Sequence, residues 1–300
     1  NAPKVDGSAS FGIDAPLPEA LVAVVVRPPV GRGAMTSYDD SKARDLPGVA
    51  NIVEIDAGVA VIATNYWRAR KAADAITLEW EPGESTLTDS AAIDAAMTAA
   101  LDGDKLLSVR DDGEAPETAP AQLLEAQYSV PFLAHATMEP MNATVDPESL
   151  EVWVGTQAPD LASSFAAEGL DVDADDITVH NQFLGGGFGR RAMPDHVFEA
   201  AQIARAVGKR VKLVWSREDD TQYDFYRPPM KSRISAGLSE AGDIQSWHHR
   251  LAGPSLMQST VQAMSKAVVP SWVPDFLVNF GADMAGRKDH ASVEGAQELP

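Results

Sequence analysis

The stretch "FLGGGFGRR" at residues 183–191 holds four of the chain's 22 glycines, a Phe set among them and two adjacent arginines at its end. Gly loses the most backbone freedom on folding, so three in a row weaken a strand or helix interior. A chain tolerates them where its backbone turns sharply or where something must approach it closely. Upstream, "ITVHNQFL" (177–184) reads as a strand. Downstream, "MPDHVFEAAQIARAVG" (193–208) reads as a helix with Val197, Ala200, Ala204 and Val207 on one face and Gly208 as its stop.

Strand, Gly-rich turn and helix together make the arrangement of an anion-binding loop. Two familiar versions fail here. No G-x-x-x-x-G-K-S/T occurs, so this is not a Walker loop. Gly185-x-Gly187 lacks the third Gly of a Rossmann fingerprint, and no strand-end acid follows at the usual spacing. Two readings stay open on the residues alone. The glycines let the backbone meet a bulky, flat cofactor with Phe188 as an apolar wall, or they make a tight turn with Phe188 packed as core.

Working outward, "LEVWVGTQ" (150–157) is a strand and "PDLASSFAAEG" (159–169) a helix. "RVKLVWS" (210–216) is another strand, and residues 230–253 have the pattern of a hairpin. Nearer the start, "LVAVVVRPP" (21–29) is a buried strand that stops at Pro28-Pro29, since Pro cannot donate to a ladder. "SYDDSKARDLPGV" (37–49) reads as a short helix capped near Ser37 or Asp39. "NIVEIDAGVAVIAT" (51–64) gives two strands joined at Asp56–Gly58, "NYWRARKAADAI" a helix, and "ITLEWEPG" a strand ending in a Pro-Gly turn. A helix follows over 88–101, with cap candidates Thr88, Asp89 and Ser90, apolar Ile93, Met97 and Leu101, and Gly103 as its stop. The acidic, Pro- and Ala-rich "DDGEAPETAPA" (111–121) is the expected linker, and "LLEAQYSVPF" (123–132) reopens with a strand. The expected class is α/β (α+β), divided into residues 1–118 and 119–300.

Composition excludes whole classes of function. A net charge of −20 argues against nucleic acid and anionic membrane surfaces, because both require a basic face. No apolar run approaches the roughly 18 residues of a membrane span. With no Cys, the chain offers neither thiolate zinc sites nor iron–sulfur ligands. "NAPKVDGS" at the start has no initiator Met or signal pattern, and it reads, like "EGAQELP" at the end, as a cut boundary.

The ordered set of segments resembles the molybdopterin-binding large subunit of the xanthine dehydrogenase/aldehyde oxidase family, the molybdenum hydroxylases. "LEVWVGTQAPD" followed some 25 residues later by "FLGGGFGRR" carries the likeness, with "AHATMEPMNATV" (134–145) upstream and "VKLVWSREDD" (211–220) then Arg227-Pro228 downstream. Residues 4–29 and 53–83 are similar to the α/β hammerhead domain that precedes the first molybdopterin-binding domain in that family. "FGRR" and "HATMEP" point to the bacterial branch of isoquinoline 1-oxidoreductase-like subunits. Ala192 stands where other members carry a substrate-contacting Glu, so that contact is missing here.

The resemblance implies a hydroxylase of N-heteroaromatic or aldehyde substrates that uses water-derived oxygen. It implies molybdopterin cytosine dinucleotide with molybdenum as cofactor and a separate [2Fe-2S] small subunit as electron acceptor. It also implies a bacterial protein of the periplasm or the cytoplasm, the periplasm being favoured. Gln157, Gly186, Gly187, Phe188 and Gly189 match cofactor-binding positions, and Arg227 matches a position on the substrate or cofactor side. Gln157 is expected to act as a neutral hydrogen-bond donor to a metal ligand. No metal ligand is identified in the chain. The catalytic base is expected beyond Pro300, which makes this chain a fragment that is inactive by itself. Arg190 and Arg191 read as solvated or ion-paired, and Arg227 equally as a surface Arg before a Pro-Pro turn. His135 and Glu139 are i, i+4, but Pro140 argues against a helix there. His248 and His249 in a strand point to opposite faces. Both pairs read as structural. The competing reading is a non-enzymatic α/β interaction module that keeps a glycine loop without cofactor.

Overall fold

The computed structural model describes residues 2–15, 20–29, 33–82, 89–104, 106–114, 118–261 and 273–286. Gly83, Thr88, residues 115–117 of the expected linker and the chain end at 294–300 lie outside the described residues.

Two compact units form, each from two separated stretches: Asn1–Glu84 with Ala134–Phe225, and Ser85–Leu133 with Tyr226–Pro300. The first unit is built on a seven-stranded sheet. Its strands are β1 (Leu21–Val26), β3 (Val49–Ile55), β4 (Gly58–Ala63), β7 (Asn142–Asp146), β8 (Glu151–Val154), β9 (Thr178–Asn181) and β10 (Val211–Val214), in the order β3-β4-β1-β10-β7-β8-β9. β1 pairs parallel with β10, and β8 pairs parallel with β9. The β1–β10 pairing joins strands from either side of residue 118, so the sheet runs across the boundary expected from composition. Backbone pairing and a shared core group these stretches, whereas linker composition reports only local solvation.

The central strands bury both faces, which is why β1 and β4 read as unbroken apolar runs. Ala23, Val25, Ala60 and Ile62 join a core beneath helices α4 (Pro159–Leu170) and α5 (Asp195–Val207). Val24, Val59, Val61 and Ala63 face the opposite way, into a smaller core with α1 (Ser41–Arg44) and α2 (Tyr66–Ala73). Residues 37–39 are strand, not helix cap: they end β2 (Ala34–Asp39), which pairs with β5 (Thr77–Glu81), and α1 begins at Ser41. β2 is one strand of a two-stranded ribbon whose register shifts between Met35 and Ser37, so no regular alternation marked it, and the local "DD" capping signal obscured it. A short helix, α6 (Arg217–Gln222), follows β10 with a capping box on Ser216 and Asp219. β7 and α6 were not read from the sequence.

In the second unit, β6 (Gln122–Val130), β11 (Met230–Leu238) and β12 (Ile244–Ala252) form an antiparallel sheet in the order β12-β11-β6. Helix α3 (Ser90–Asp102) is capped by Asp89, whose side chain accepts from Ala92 N–H at 2.8 Å. It lies on one face of the sheet through Lys231–Asp94 (2.8 Å) and Arg233–Asp102 (2.7 Å) ion pairs. Helix α7 spans Asp275–Gly286. Among the described residues, no helix is long and apolar enough to cross a membrane.

Close contact between α4 and α5 rests on Gly169. A Cβ there would sit 2.6 Å from Ala201 Cβ and 2.8 Å from the Phe198 carbonyl oxygen. Gly→Ala in a helix ordinarily stabilises by up to about 1 kcal/mol. Gly169→Ala is expected to do the reverse, lowering stability by about 1–3 kcal/mol through overpacking, as read by denaturant unfolding.

Candidate functional site

β8 and β9 run parallel, with Val154 opposite Asn181, so their carboxyl ends lie side by side. Gly155-Thr156-Gln157 leaves one end and the glycine loop leaves the other. Asn181 ties the two exits together: its Oδ1 accepts from Thr156 N–H at 3.1 Å and its Nδ2 donates to Thr156 O at 3.3 Å. Ligands of open α/β sheets bind at such strand ends.

Loop conformation decides one part of the question left open by the residues, where Phe188 lies. Phe188 is 72% exposed and adopts φ +53°, so it is not a core residue. A non-Gly residue in the left-handed region is uncommon and costs free energy, and such residues gather at functional sites. Gly186 (φ +103°) and Gly189 (φ +97°) flank it in backbone regions that Gly enters without a Cβ penalty. Gly187 is set by approach: a Cβ would lie 2.6 Å from Gln157 Oε1. That same oxygen accepts from Gly189 N–H at 3.0 Å. The amide oxygen of Gln157 is therefore engaged, and the Nε2 of this exposed residue has no acceptor among the described residues. The N–H groups of Gly186, Gly187 and Phe188 have no acceptor among the described residues. Successive backbone donors near left-handed residues form an anion-binding concavity.

The loop is held from below by Arg191, which is fully buried. Its guanidinium donates to Gly186 O (2.9 Å), Gly155 O (3.1 Å) and Glu139 O (2.7 Å), and it pairs with Glu139 Oε2 at 3.1 Å. Burial lowers the Arg191 pKa, and the Glu139 charge opposes that shift. Glu139 in turn accepts from Gly185 N–H (2.8 Å), Ile13 N–H (2.9 Å) and Asn142 Nδ2 (2.9 Å). Arg190 is also buried and makes a bidentate pair with Asp195 (2.8 and 2.9 Å), with Asp224 Oδ1 3.1 Å from its Nε. Both arginines are thus internal ion-pair partners, as the sequence allowed, and neither is a solvated loop residue. Burial alone would raise the Asp195 pKa, but Arg190 and His196 overcome it and hold the carboxyl well below its usual range.

His135 sits in irregular backbone, and its Nδ1 lies 2.9 and 3.0 Å from the two oxygens of Asp224. His248 and His249 lie on β12 in the second unit, and His249 Nε2 is 2.7 Å from Ser232 Oγ. Arg227 also belongs to that unit, where its guanidinium donates to Pro131 O at 3.1 Å and its backbone pairs with Leu133. Among the described residues, no group of three or more His, Asp or Glu is arranged to hold a metal. Sequence reading missed the roles of Glu139 and Asp224. Glu139 carried a usable signal in being an acid directly before Pro140 outside any helix, whereas nothing local marked Asp224.

Removing the Glu139 charge while leaving Arg191 buried should be costly. Glu139→Gln is expected to destabilise by about 3–5 kcal/mol, the usual result of breaking a buried pair from one side. For Asp195 the sign follows from its depressed pKa: the stabilisation is present above the ordinary carboxylate range and lost as pH falls. The advantage of wild type over Asp195→Asn in denaturant unfolding should be clear at about pH 7 and shrink steadily below about pH 4.

Residues 103–268, more than half of the chain, match the family model for the molybdopterin cofactor-binding domain. The chain is 32% identical over 271 residues to isoquinoline 1-oxidoreductase subunit beta of Brevundimonas diminuta, covering 84% of this chain and 34% of that protein. It is 29% identical over 263 residues to a membrane-bound aldehyde dehydrogenase (pyrroloquinoline-quinone) of Gluconacetobacter polyoxogenes, covering 83% of this chain and 34% of that protein. The chain therefore spans about a third of the length of these relatives. Quinoline 2-oxidoreductase from Pseudomonas putida 86 shares the fold, with a TM-score of 0.64 at 18% identity over 83% of this chain and 38% of that one. The chain belongs to the molybdopterin cofactor-binding domain family, in its molybdenum hydroxylase group.

Proposed function

We propose that this chain is the part of a molybdenum hydroxylase subunit that supplies one wall of the cofactor and substrate site. The observation that carries the reading is the loop itself: unused N–H groups at 186–188, an exposed Phe188 in the left-handed region and an oriented Gln157 amide converge at one pair of strand ends. These donors suit the oxygens of a molybdopterin group without adding side-chain charge. In an acidic protein that matters, because an anionic cofactor must be met by local donors and not by the net field.

Gly186, Gly187 and Phe188 would hold the group through their backbone N–H groups, Gly189 would fix Gln157 through the N–H it donates to Oε1, and Gln157 Nε2 would donate to a ligand of the metal. When bound, the group supplies the oxidising centre for hydroxylating an electron-poor C–H carbon with water-derived oxygen. The chain's own work is to orient, and to present Phe188 as an apolar wall beside the substrate. Similarity to an isoquinoline oxidoreductase beta subunit and to an aldehyde dehydrogenase supports N-heteroaromatic or aldehyde substrates. We assign the cofactor to the cytosine dinucleotide form and electron removal to a separate [2Fe-2S] subunit, as the family likeness implies; these 300 residues, without Cys, offer no thiolate for such a cluster. Arg227 is assigned to the substrate side, residues before 119 to a hammerhead-like role, the general base to another part of the full subunit, and the protein to the bacterial periplasm.

Metal analysis of the full-length subunit tests this reading against the interaction-module alternative. About one molybdenum per chain supports the hydroxylase. A metal-free protein without activity towards N-heteroaromatics or aldehydes supports the module. Within the loaded enzyme, Gln157→Ala should retain molybdenum while turnover falls about 10–100-fold, because groups that hydrogen-bond metal ligands tune the metal more than they retain it. Loss of metal in step with activity would instead make Gln157 a retention residue.

A further inference from the structure

His135 lies beside the glycine loop with one nitrogen fixed and the other unclaimed. Nδ1 faces both oxygens of Asp224 at 2.9 and 3.0 Å, and Asp224 Oδ2 also accepts from His135 N–H at 2.6 Å. The Asp224 side chain is only 1% exposed and is anchored by Arg190 Nε at 3.1 Å. A buried carboxylate paired to Arg can only accept, so the ring proton sits on Nδ1. In the neutral imidazole this leaves a lone pair on Nε2. No described residue donates to it. Nε2 lies 4.0 Å from where a Cβ on Gly189 would stand, and, Phe188 and Arg190 on either side of it aside, no other described residue comes within 4 Å of that point. The ring stays 16% exposed.

Two further features set this pair apart from a structural one. Ala136, the next residue, is another of the few non-Gly residues with positive φ (+45°), so the backbone is strained on the His135 side of the loop as well as at Phe188. Gly189 also joins His135 to Gln157: its N–H binds the Gln157 oxygen, and its open α-carbon faces His135 Nε2. A molecule seated on the loop thus meets a donor, Gln157 Nε2, and an acceptor, His135 Nε2.

We propose that His135 is a specificity residue that contacts the oxygenated molecule held at the loop, its Nε2 accepting a hydrogen bond from an N–H or O–H donor on that molecule. This rests on the hydroxylase reading above and narrows it. An aldehyde carbonyl and an unprotonated ring nitrogen are both acceptors and gain nothing from a second acceptor. A heteroaromatic lactam with a ring N–H, the form an N-heterocycle takes once oxygen is placed beside its nitrogen, matches it.

The test uses full-length, molybdenum-loaded protein at about pH 8.5, above the ordinary imidazole range, with two probes: isoquinolin-1(2H)-one and its N-methyl analogue, which lacks the donor. Wild type is expected to bind the N–H lactam about tenfold more tightly than the N-methyl form, and the N–H lactam should protect His135 from carbethoxylation by diethyl pyrocarbonate. His135→Asn keeps a donor for Asp224 but has nothing at Nε2, so it should retain molybdenum and lose the discrimination. His135→Gln, whose amide oxygen reaches towards the Nε2 position, should recover part of it. Equal binding of the two lactams, or binding of neither, by loaded wild type overturns the proposal, as does discrimination that survives in His135→Asn. Loss of molybdenum in both variants overturns it too, by making His135 structural. A wild type that never carries molybdenum overturns the hydroxylase reading itself.

Discussion

The buried pair of Arg191 and Glu139 is the constraint on which the candidate site depends. Its two charges lie inside the first unit, and neither would be tolerated there without the other. Together they use nearly all their hydrogen-bonding capacity on backbone: Arg191 on the carbonyls of residues 139, 155 and 186, and Glu139 on the N–H groups of residues 13 and 185. Four stretches of chain that are remote in sequence are joined through one ion pair. Such a pair adds little net stability compared with apolar packing, but it specifies one arrangement. Here that arrangement is a glycine loop held open at its exposed face.

The second arginine works differently. Arg190 packs against the Trp215 and Phe225 rings, with its charge between Asp195 and Asp224. It connects the start of α5 to the segment that carries Asp224, and through Asp224 to His135. The two residues of "RR" therefore hold different halves of the surroundings, Arg191 the strand ends and Arg190 the histidine. Both are buried. Their charges serve as internal supports, while the loop's outward chemistry consists of neutral amides and an imidazole.

Much of this was legible in the sequence, for identifiable reasons. β1, β3, β4, β8, β9 and β10, the helices α2 to α5 and the β11–β12 hairpin follow from local periodicity and from Gly and Pro signals, which act within a few residues. β2 was read as the approach to a helix because "YDDS" has capping chemistry, while its partner, β5, lies some 40 residues away. β7 was missed although its "NATVD" alternates polar and apolar residues: the run is only five residues long, and its polar positions Asn142, Thr144 and Asp146 are buried together with the apolar ones. Burial of polar residues depends on partners that no local window contains.

The sequence by itself determined that a Gly-rich turn stands between a strand and a helix in an acidic, Cys-free α/β chain, and that Gln157 ends a strand at a fixed separation from it. Local backbone sterics and charge counts suffice for that much. Tertiary structure decided what the turn presents. Phe188 is exposed, Gln157 Oε1 is turned to Gly189, Arg190 and Arg191 are buried, and Asp224 meets His135 from 89 residues away. Each of these is a pairing between groups distant in the chain. Its free energy exists only once β8 and β9 lie side by side and the surrounding core has removed water from the charges beneath them.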